Sequence, residues 1–255
     1  MVDKTDCKFD VLVAGTGPAG LMAALSLHKA GFRVALVGPE VNRGDRRTTA
    51  LMVPALGALD NLGLLASISE GAAPLRIMRI VDGTRRLLRS PVVTFHASEI
   101  DEPHFGLNIP NTVLNAAIED AVRAVPEISR YVSVADGTKL STKLAVAADG
   151  RASPARQAAG IGTSTRPYKQ SALVLSFSHD RPHGFVSTEF HTESGPFTQV
   201  PLPGSRSSLV WVMDTAQAEE KASLDIGALS AAVEARMDSM LGKVSIDGGC
   251  QVYPL

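Results

Sequence analysis

The stretch from Phe9 to Glu40 constrains this chain more than any other. It reads Phe9-Asp10-Val11-Leu12-Val13-Ala14, then Gly15-Thr16-Gly17-Pro18-Ala19-Gly20, then a helical run to Ala30. Gly31 and a second apolar run, Val34-Ala35-Leu36-Val37, follow. A strand, a glycine turn, a helix and a strand within about thirty residues make a βαβ unit. The spacing gives the glycines separate tasks. Gly15 allows the tight turn, Gly17 lets backbone approach a pyrophosphate, and Gly20 lets the helix sit tightly on the strand. Pro18 and Ala19 stand at the helix start, where unpaired N–H groups and a partial positive charge suit phosphate.

A glycine motif alone often marks an ordinary turn. Here it follows an apolar strand and opens a helix, which makes it a candidate dinucleotide site. Ala24 and Gly31 resemble the spacing that flavoproteins favour, small residues that let the helix pack and end. The acid that grips a ribose usually ends the second strand. Gly38 stands at that position, and the nearest carboxylate is Glu40.

At 255 residues the chain can form one large domain or two modest ones. Its net charge of −1 and its lack of a basic stripe argue against a nucleic-acid partner. Cys7 and Cys250 fit neither a metal spacing nor a disulfide framework, so no metal site and a reducing cytoplasmic setting are expected. The polar N-terminus has no signal sequence, and no apolar run approaches the length of a membrane span. Peripheral membrane contact stays open.

Farther along, Asn42 to Leu51 reads as a polar, basic loop leading into a helix that ends near Gly63. Arg46 and Arg47 read either as a solvated loop or as a phosphate clamp, and their place after the second strand favours the clamp. Leu75–Val81 and Arg85–Arg89 flank Asp82-Gly83 as a hairpin. His96 and His104 fit no zinc spacing. Asn111 caps a helix from Thr112 to about Val125, stopped by Pro126. Tyr131–Val134 and Lys139–Lys143 flank Asp136-Gly137 as a second hairpin. Leu144 to Ala148 reads as a strand buried on both faces, running into Asp149-Gly150. Such a turn serves either as a helix cap or as a ligand site at a strand end.

From Ala172 the pattern becomes all-β. Strands are predicted over Ala172–Ser178, Phe185–His191, Phe197–Leu202 and Ser208–Met213, forming an antiparallel sheet. A helix over Ile226–Leu241 follows, with Asp225 as cap, Gly242 past its end, and its methionines as core filler. No Ser/His/Asp set or paired carboxylates stand out, so no catalytic residue is assigned.

The glycine stretch from Gly15 to Gly31, the Asp45-Arg46-Arg47-Thr48-Thr49-Ala50-Leu51 loop and the Ala148-Asp149-Gly150-Arg151 turn, in that order, resemble the flavin-dependent aromatic hydroxylases. Arg181-Pro182-His183, Pro201-Leu202-Pro203-Gly204 and Leu209-Val210-Trp211 look like the sheet of the ubiquinone-biosynthesis hydroxylases, the octaprenyl-methoxyphenol hydroxylase type. The resemblance implies an α/β fold: a Rossmann-like FAD-binding domain with an antiparallel β-sheet substrate domain, similar to p-hydroxybenzoate hydroxylase. Residues 1–70 and 106–165 would form the FAD domain, and 71–105 and 166–255 the substrate domain.

It further implies FAD and NAD(P)H as cofactors and a prenylated phenol as substrate, bound between the two domains. Ubiquinone-biosynthesis enzymes would be its protein partners. Gly15, Gly17, Pro18, Ala19 and Gly20 would cradle the FAD pyrophosphate, with Glu40 as a substitute ribose acid. Arg47, with Thr48 beside it, matches the family's FAD-contacting arginine. Asp149 and Gly150 match the Asp-Gly turn that serves the FAD and NAD(P)H side of the site.

The chain departs from the family pattern twice. No room is evident between Pro126 and Tyr131 for the parallel strand that follows the Asn111 helix. The family's second flavin motif is absent, so the chain looks like the N-terminal portion of a hydroxylase. Two other readings stay open: a truncated, non-catalytic FAD-binding or scaffold module, and another FAD- or NAD(P)-dependent oxidoreductase.

Overall fold

The computed structural model describes residues 8–133 and 140–255. Cys7 and the Asp136-Gly137 turn lie outside them. In chain order the elements begin with β1 (Phe9–Ala14), α1 (Pro18–Lys29), β2 (Val34–Val37), β3 (Thr48–Met52), α2 (Val53–Asn61) and α3 (Leu65–Ser69). Next come β4 (Ala73–Leu75), β5 (Ile77–Asp82), β6 (Val93–His96), β7 (Gly106–Pro110) and α4 (Asn111–Arg123). They are followed by β8 (Ser129–Tyr131), β9 (Thr142–Ala147) and α5 (Pro154–Ala158). The rest is β10 (Gln170–His179), β11 (Val186–His191), β12 (Pro196–Leu202), β13 (Arg206–Asp214), α6 (Thr215–Ala222), α7 (Ile226–Arg236) and β14 (Val244–Pro254).

The chain folds as two compact units. The first holds the residues up to Asp45, Leu59–Ile68 and Asn111–Thr165. The second holds Arg46–Ala58, Ser69–Pro110 and Arg166–Leu255. Residues 46–58, 69–70 and 106–110, grouped with the nucleotide unit from sequence, cluster with the second unit. The reason is pairing: Thr48–Met52 is not loop but strand β3, antiparallel to β7, and β7 also pairs with β4.

The first unit is built on a four-stranded parallel sheet in the order β8-β2-β1-β9. The βαβ reading of Phe9–Val37 holds to the residue at each strand. Leu21, Ala24 and Leu25 of α1 are buried, and α1 packs beside α4. Two expectations fail here. A parallel strand does fit after Pro126, because β8 needs only Ser129–Tyr131, paired with Ala35–Val37. The predicted hairpin across Asp136-Gly137 does not form between its described flanks, since β8 and β9 lie on opposite edges of the sheet. β9 is also not buried on both faces: it is an edge strand, and Leu144 is 55% exposed.

The second unit is organised by a seven-stranded sheet in the order β14-β10-β13-β12-β11-β5-β6. All pairs are antiparallel except β11 with β5. Alternation puts Leu173, Leu175 and Phe177 of β10 and Leu209, Trp211 and Met213 of β13 into one core. Ala218 of α6 and Leu229, Val233 and Met237 of α7 close over it. Phe197 meets Trp211 edge to face at 5.1 Å.

Asp225 caps α7 by accepting from the Ala228 N–H at 2.9 Å, and Met237 is core filler, both as expected. The helix stops at Arg236 rather than Leu241, because Asp238 and Ser239 adopt left-handed backbone. The predicted first hairpin is also revised. The partner of β5 is β6 at 93–96, not Arg85–Arg89.

A neutral histidine sits in this unit. The His179 ring is buried, with Nδ1 2.8 Å from the Arg181 carbonyl and Nε2 3.0 Å from the Ser207 hydroxyl. Gln199 donates to that same hydroxyl at 2.9 Å, leaving the Ser207 proton for Nε2. Burial pushes the His179 pKa below its ordinary 6.5. A histidine held neutral in the fold contributes stability above its unfolded pKa and loses it as pH falls through the folded value. The expected outcome is a melting temperature that declines on acidification below 6.5, with a shallower decline in His179→Asn, read by circular dichroism.

Candidate flavin-nucleotide site

The site forms where the C-terminal ends of the parallel strands meet in the first unit. Gly15 turns the chain out of β1 at φ +114°, donates to the Val37 carbonyl at 2.7 Å, and lies against Ala148. A Cβ on Gly15 would fall 2.1 Å from the Ala148 carbonyl oxygen, and one on Gly20 would fall 2.0 Å from the Gly15 oxygen. Both glycines are therefore demanded by the protein's own packing.

Gly17 is different. Its φ of −73° suits any residue, and a Cβ there would meet nothing within 4 Å. The space in front of it is left by the chain for something else. Directly behind it α1 begins with Pro18, without a side-chain cap and without an acid in its first turn. Its first N–H groups and positive dipole end face that space, the arrangement that binds a pyrophosphate. The residues fit the diphosphate of FAD.

A cleft of about 200 Å³ continues the site past the end of β2, lined by Thr16, Gly38, Glu40, Arg130, Tyr131 and Val132. Thr16 donates to the Pro39 carbonyl at 2.6 Å, and Gly38 donates to the Tyr131 carbonyl at 2.9 Å. These bonds draw the turns after β1, β2 and β8 together. They also explain the missing acid at position 38: a Cβ there would lie 2.9 Å from the Thr16 side chain. The nearest carboxylate is that of Glu40, which is 73% exposed and receives the Arg123 guanidinium at 3.1 Å.

α4 fixes the loop that bears Glu40. Asn111, Asn115, Glu119 and Arg123 fall four residues apart and so form one row on the helix. Asn111 donates to Asp45 at 2.9 Å and Asn115 to the Asn42 carbonyl at 3.2 Å. Glu119 is 1% exposed and accepts from Arg43 at 2.8 Å and Arg123 at 2.7 Å, with Arg130 at 3.4 Å. Burial works against the Glu119 charge, but the Arg123 and Arg43 guanidiniums outweigh it and hold the carboxyl below its ordinary range. Sequence reading made Asn111 the cap of this helix and used none of its other polar residues; the four-residue polar row was the available signal.

Asp149 lies beside the glycine turn, its N–H close to the position a Gly15 Cβ would take. Its carboxylate accepts from the Ser153 hydroxyl at 2.5 Å and the Ala155 N–H at 2.9 Å, which together hold its pKa low. Gly150 follows at φ +87°, with open space where a Cβ would stand.

Thus Gly15, Gly17, Pro18, Ala19, Gly20, Glu40, Asp149 and Gly150 all belong to the first unit. Arg47 and Thr48 belong to the second. Arg47 stacks its guanidinium over the Tyr253 ring at 5.4 Å, and Thr48 donates to the Ser208 hydroxyl at 3.1 Å. The second unit has a cavity of its own, about 620 Å³, walled by Arg85, Glu193, Trp211, Lys221 and Arg236. Among the described residues, no cluster of His, Cys, Asp and Glu could hold a metal, and no helix is long and apolar enough to cross a membrane.

Residues 8–125 match the FAD binding domain family. A crystal structure of PqsL, a probable FAD-dependent monooxygenase from Pseudomonas aeruginosa, superposes with a TM-score of 0.75. It covers 94% of this chain and 72% of that one at 20% identity, which speaks for the fold. Fold and sequence together give this chain an FAD binding domain within a p-hydroxybenzoate hydroxylase-like architecture.

Several of its sequence relatives are ubiquinone-biosynthesis hydroxylases. Ubiquinone hydroxylase UbiL of Rhodospirillum rubrum is 30% identical over 224 residues, 79% of this chain and 51% of that protein. The 3-demethoxyubiquinol 3-hydroxylase of Escherichia coli is 26% identical over 260 residues, 92% of this chain and 65% of that protein. The chain thus spans about half to two-thirds of the length of these relatives.

The glycines offer a separation of fold from binding. Gly17→Val is expected to unfold within about 0.5 kcal/mol of the native chain while weakening FAD binding at least about tenfold. Gly20→Ala is expected to cost about 2 kcal/mol or more in urea denaturation, because its Cβ has nowhere to go. Glu119→Gln, which removes the charge that three arginines share, is expected to cost about 2 kcal/mol by the same measurement.

Proposed function

We propose that the chain is the FAD-binding and sheet portion of a monooxygenase that hydroxylates a (poly)prenylated phenol in ubiquinone biosynthesis, using NAD(P)H and O2. Kinship carries this reading: the alignment with the E. coli 3-demethoxyubiquinol 3-hydroxylase runs over 92% of the chain, far beyond the matched FAD domain. In this reading the first unit is the FAD domain and the second the substrate domain.

FAD, once bound, would supply the redox chemistry that links NAD(P)H to oxygen. The overall reaction balances: phenol, O2, NAD(P)H and a proton give the hydroxylated phenol, NAD(P)+ and water. The chain's own residues bind and orient. The turn at Gly15, Gly17 and Gly20, with Pro18 and Ala19, holds the diphosphate. Glu40 accepts from the ribose hydroxyls, its other contact being Arg123. Arg47 and Thr48 are the further cofactor contacts that the family resemblance implies. Asp149 and Gly150 border the cofactor, with the Asp149 charge kept by its two donors at neutral pH. The protein works in the cytoplasm, in peripheral contact with the membrane that holds its prenylated substrate or with other enzymes of the pathway.

The expected outcome is a yellow protein that oxidises NAD(P)H faster when a short-chain prenylated phenol is added. Colourless protein that takes up no FAD in a fluorescence titration overturns the reading. FAD uptake without phenol-dependent turnover makes the chain an FAD-binding module.

A further inference from the structure

The loop between β5 and β6 does something that buried sheets and flavin cradles do not explain. It reads Thr84-Arg85-Arg86-Leu87-Leu88-Arg89-Ser90-Pro91-Val92, and it turns two adjacent leucines wholly outward. Leu87 is 100% exposed and Leu88 87% exposed. An isolated exposed leucine is ordinary on a protein surface, but two together at a loop tip, with three arginines around them, are not.

The neck of the loop is built to hold that tip in place. Asp82 Oδ1 accepts from the Thr84 N–H at 3.1 Å and the Thr84 hydroxyl at 2.6 Å, while Oδ2 accepts from the Ser90 N–H at 2.8 Å. One carboxylate therefore ties both ends of the loop, and these bonds lower its pKa to about 2. Gly83 adds a bond to the His191 carbonyl at 2.9 Å, and the Arg85 N–H donates to Glu193 at 2.7 Å. The exposed leucines thus sit on a fixed base, which lowers the ordering cost of inserting them into anything.

The sequence around the tip selects the occupant. No acidic residue occurs between Asp82 and Glu99, whereas Arg85, Arg86 and Arg89 bracket the leucines. An apolar tip ringed by guanidiniums matches a bilayer surface whose headgroups are anionic: leucines enter the acyl boundary and arginines meet phosphate. At the base of the loop, register sets Ile80 opposite Val93, with Phe95 two residues on along the same face of the outer strand pair. All three are exposed, so apolar surface is present behind the tip as well.

We propose that residues 84–92 form a membrane-docking loop that inserts Leu87 and Leu88 into an anionic lipid surface, with Arg86 and Arg89 on its phosphates. This sharpens the peripheral contact proposed above and does not depend on the hydroxylase reading.

The test is co-sedimentation of the chain with phosphatidylcholine vesicles, with and without phosphatidylglycerol. The expected result is partitioning at least about tenfold stronger onto the anionic vesicles, weakened by added salt. The double variant L87S/L88S and the double variant R86Q/R89Q should each reduce it about tenfold. Melting curves check that both variants remain folded, as their exposure leads one to expect. Equal binding to both vesicle types, or binding unchanged in L87S/L88S, overturns the proposal. So does a tip that covers a second copy of the chain, which L87S/L88S would reveal as a change of mass in sedimentation velocity without vesicle binding. NAD(P)H oxidation with a water-soluble short-chain phenol, measured in parallel, should not change in either variant. Its failure in the native chain would count against the hydroxylase reading alone.

Discussion

The first unit depends on one contact: the Gly15–Gly20 turn seated against the backbone of Ala148. Neither glycine can carry a side chain there, because a Cβ would overlap a carbonyl oxygen in both cases. The contact brings the end of β1 and the end of β9 together although about 130 residues separate them in sequence. It sets the start of α1 over the strand ends, and it places Asp149 one residue past the contact. The nucleotide site is a consequence of this closure. If the turn were displaced by a methyl group, the helix N-terminus would no longer lie where a diphosphate could meet it.

The second requirement is that the loop after β2 stay put. A polar loop carrying Glu40, Arg43 and Asp45 has little apolar surface with which to hold itself. α4 supplies what is missing, through side chains four residues apart on one row. Glu119 costs something to bury, and that cost is offset by three guanidiniums rather than one. Because Arg43 and Arg123 are about half exposed, each pair is partly screened, and the arrangement gives position more than stability. That suits a loop whose proposed task is to present Glu40.

Much of this was legible in the sequence, and the limits have physical causes. Apolar runs bounded by turn residues located β1, β2 and the four strands β10 to β13 to within about two residues, since each buries a face that alternation exposes to view. The Asp-Gly signals were less faithful. Asp82-Gly83 was read as a two-residue hairpin turn, whereas Asp82 spends its carboxylate on Thr84 and Ser90 and so closes a longer loop. The run Leu144–Ala148 looked buried on both faces because its residues are apolar, but apolarity does not say which strand is at an edge. Thr48–Met52 carried no period-two pattern and became a strand only because β7 lies alongside it. The site residues on the glycine turn were legible since their chemistry is local. The row on α4 shows in the four-residue spacing of its polar residues, but its partners, like the Thr16 contact that forces Gly38, are distant in sequence, and no spacing announces them.

Asp149 shows how one residue can answer two readings that compete on paper. Its position suggested either a helix cap or a cofactor contact. The structure shows the cap, with Ser153 on one oxygen and Ala155 on the other. Each carboxylate oxygen accepts more than one hydrogen bond, so these two donors leave acceptor capacity on both. They also fix the plane of the carboxylate and keep it ionised, which is what a group facing the hydroxyls or N–H groups of a ligand needs. A free aspartate at the same place would have to be ordered on binding, at a cost in side-chain entropy. The cap removes that cost in advance. The structural role is therefore the means by which the proposed binding role becomes available, and the same logic holds for the role proposed for Glu40, which Arg123 steadies from one side.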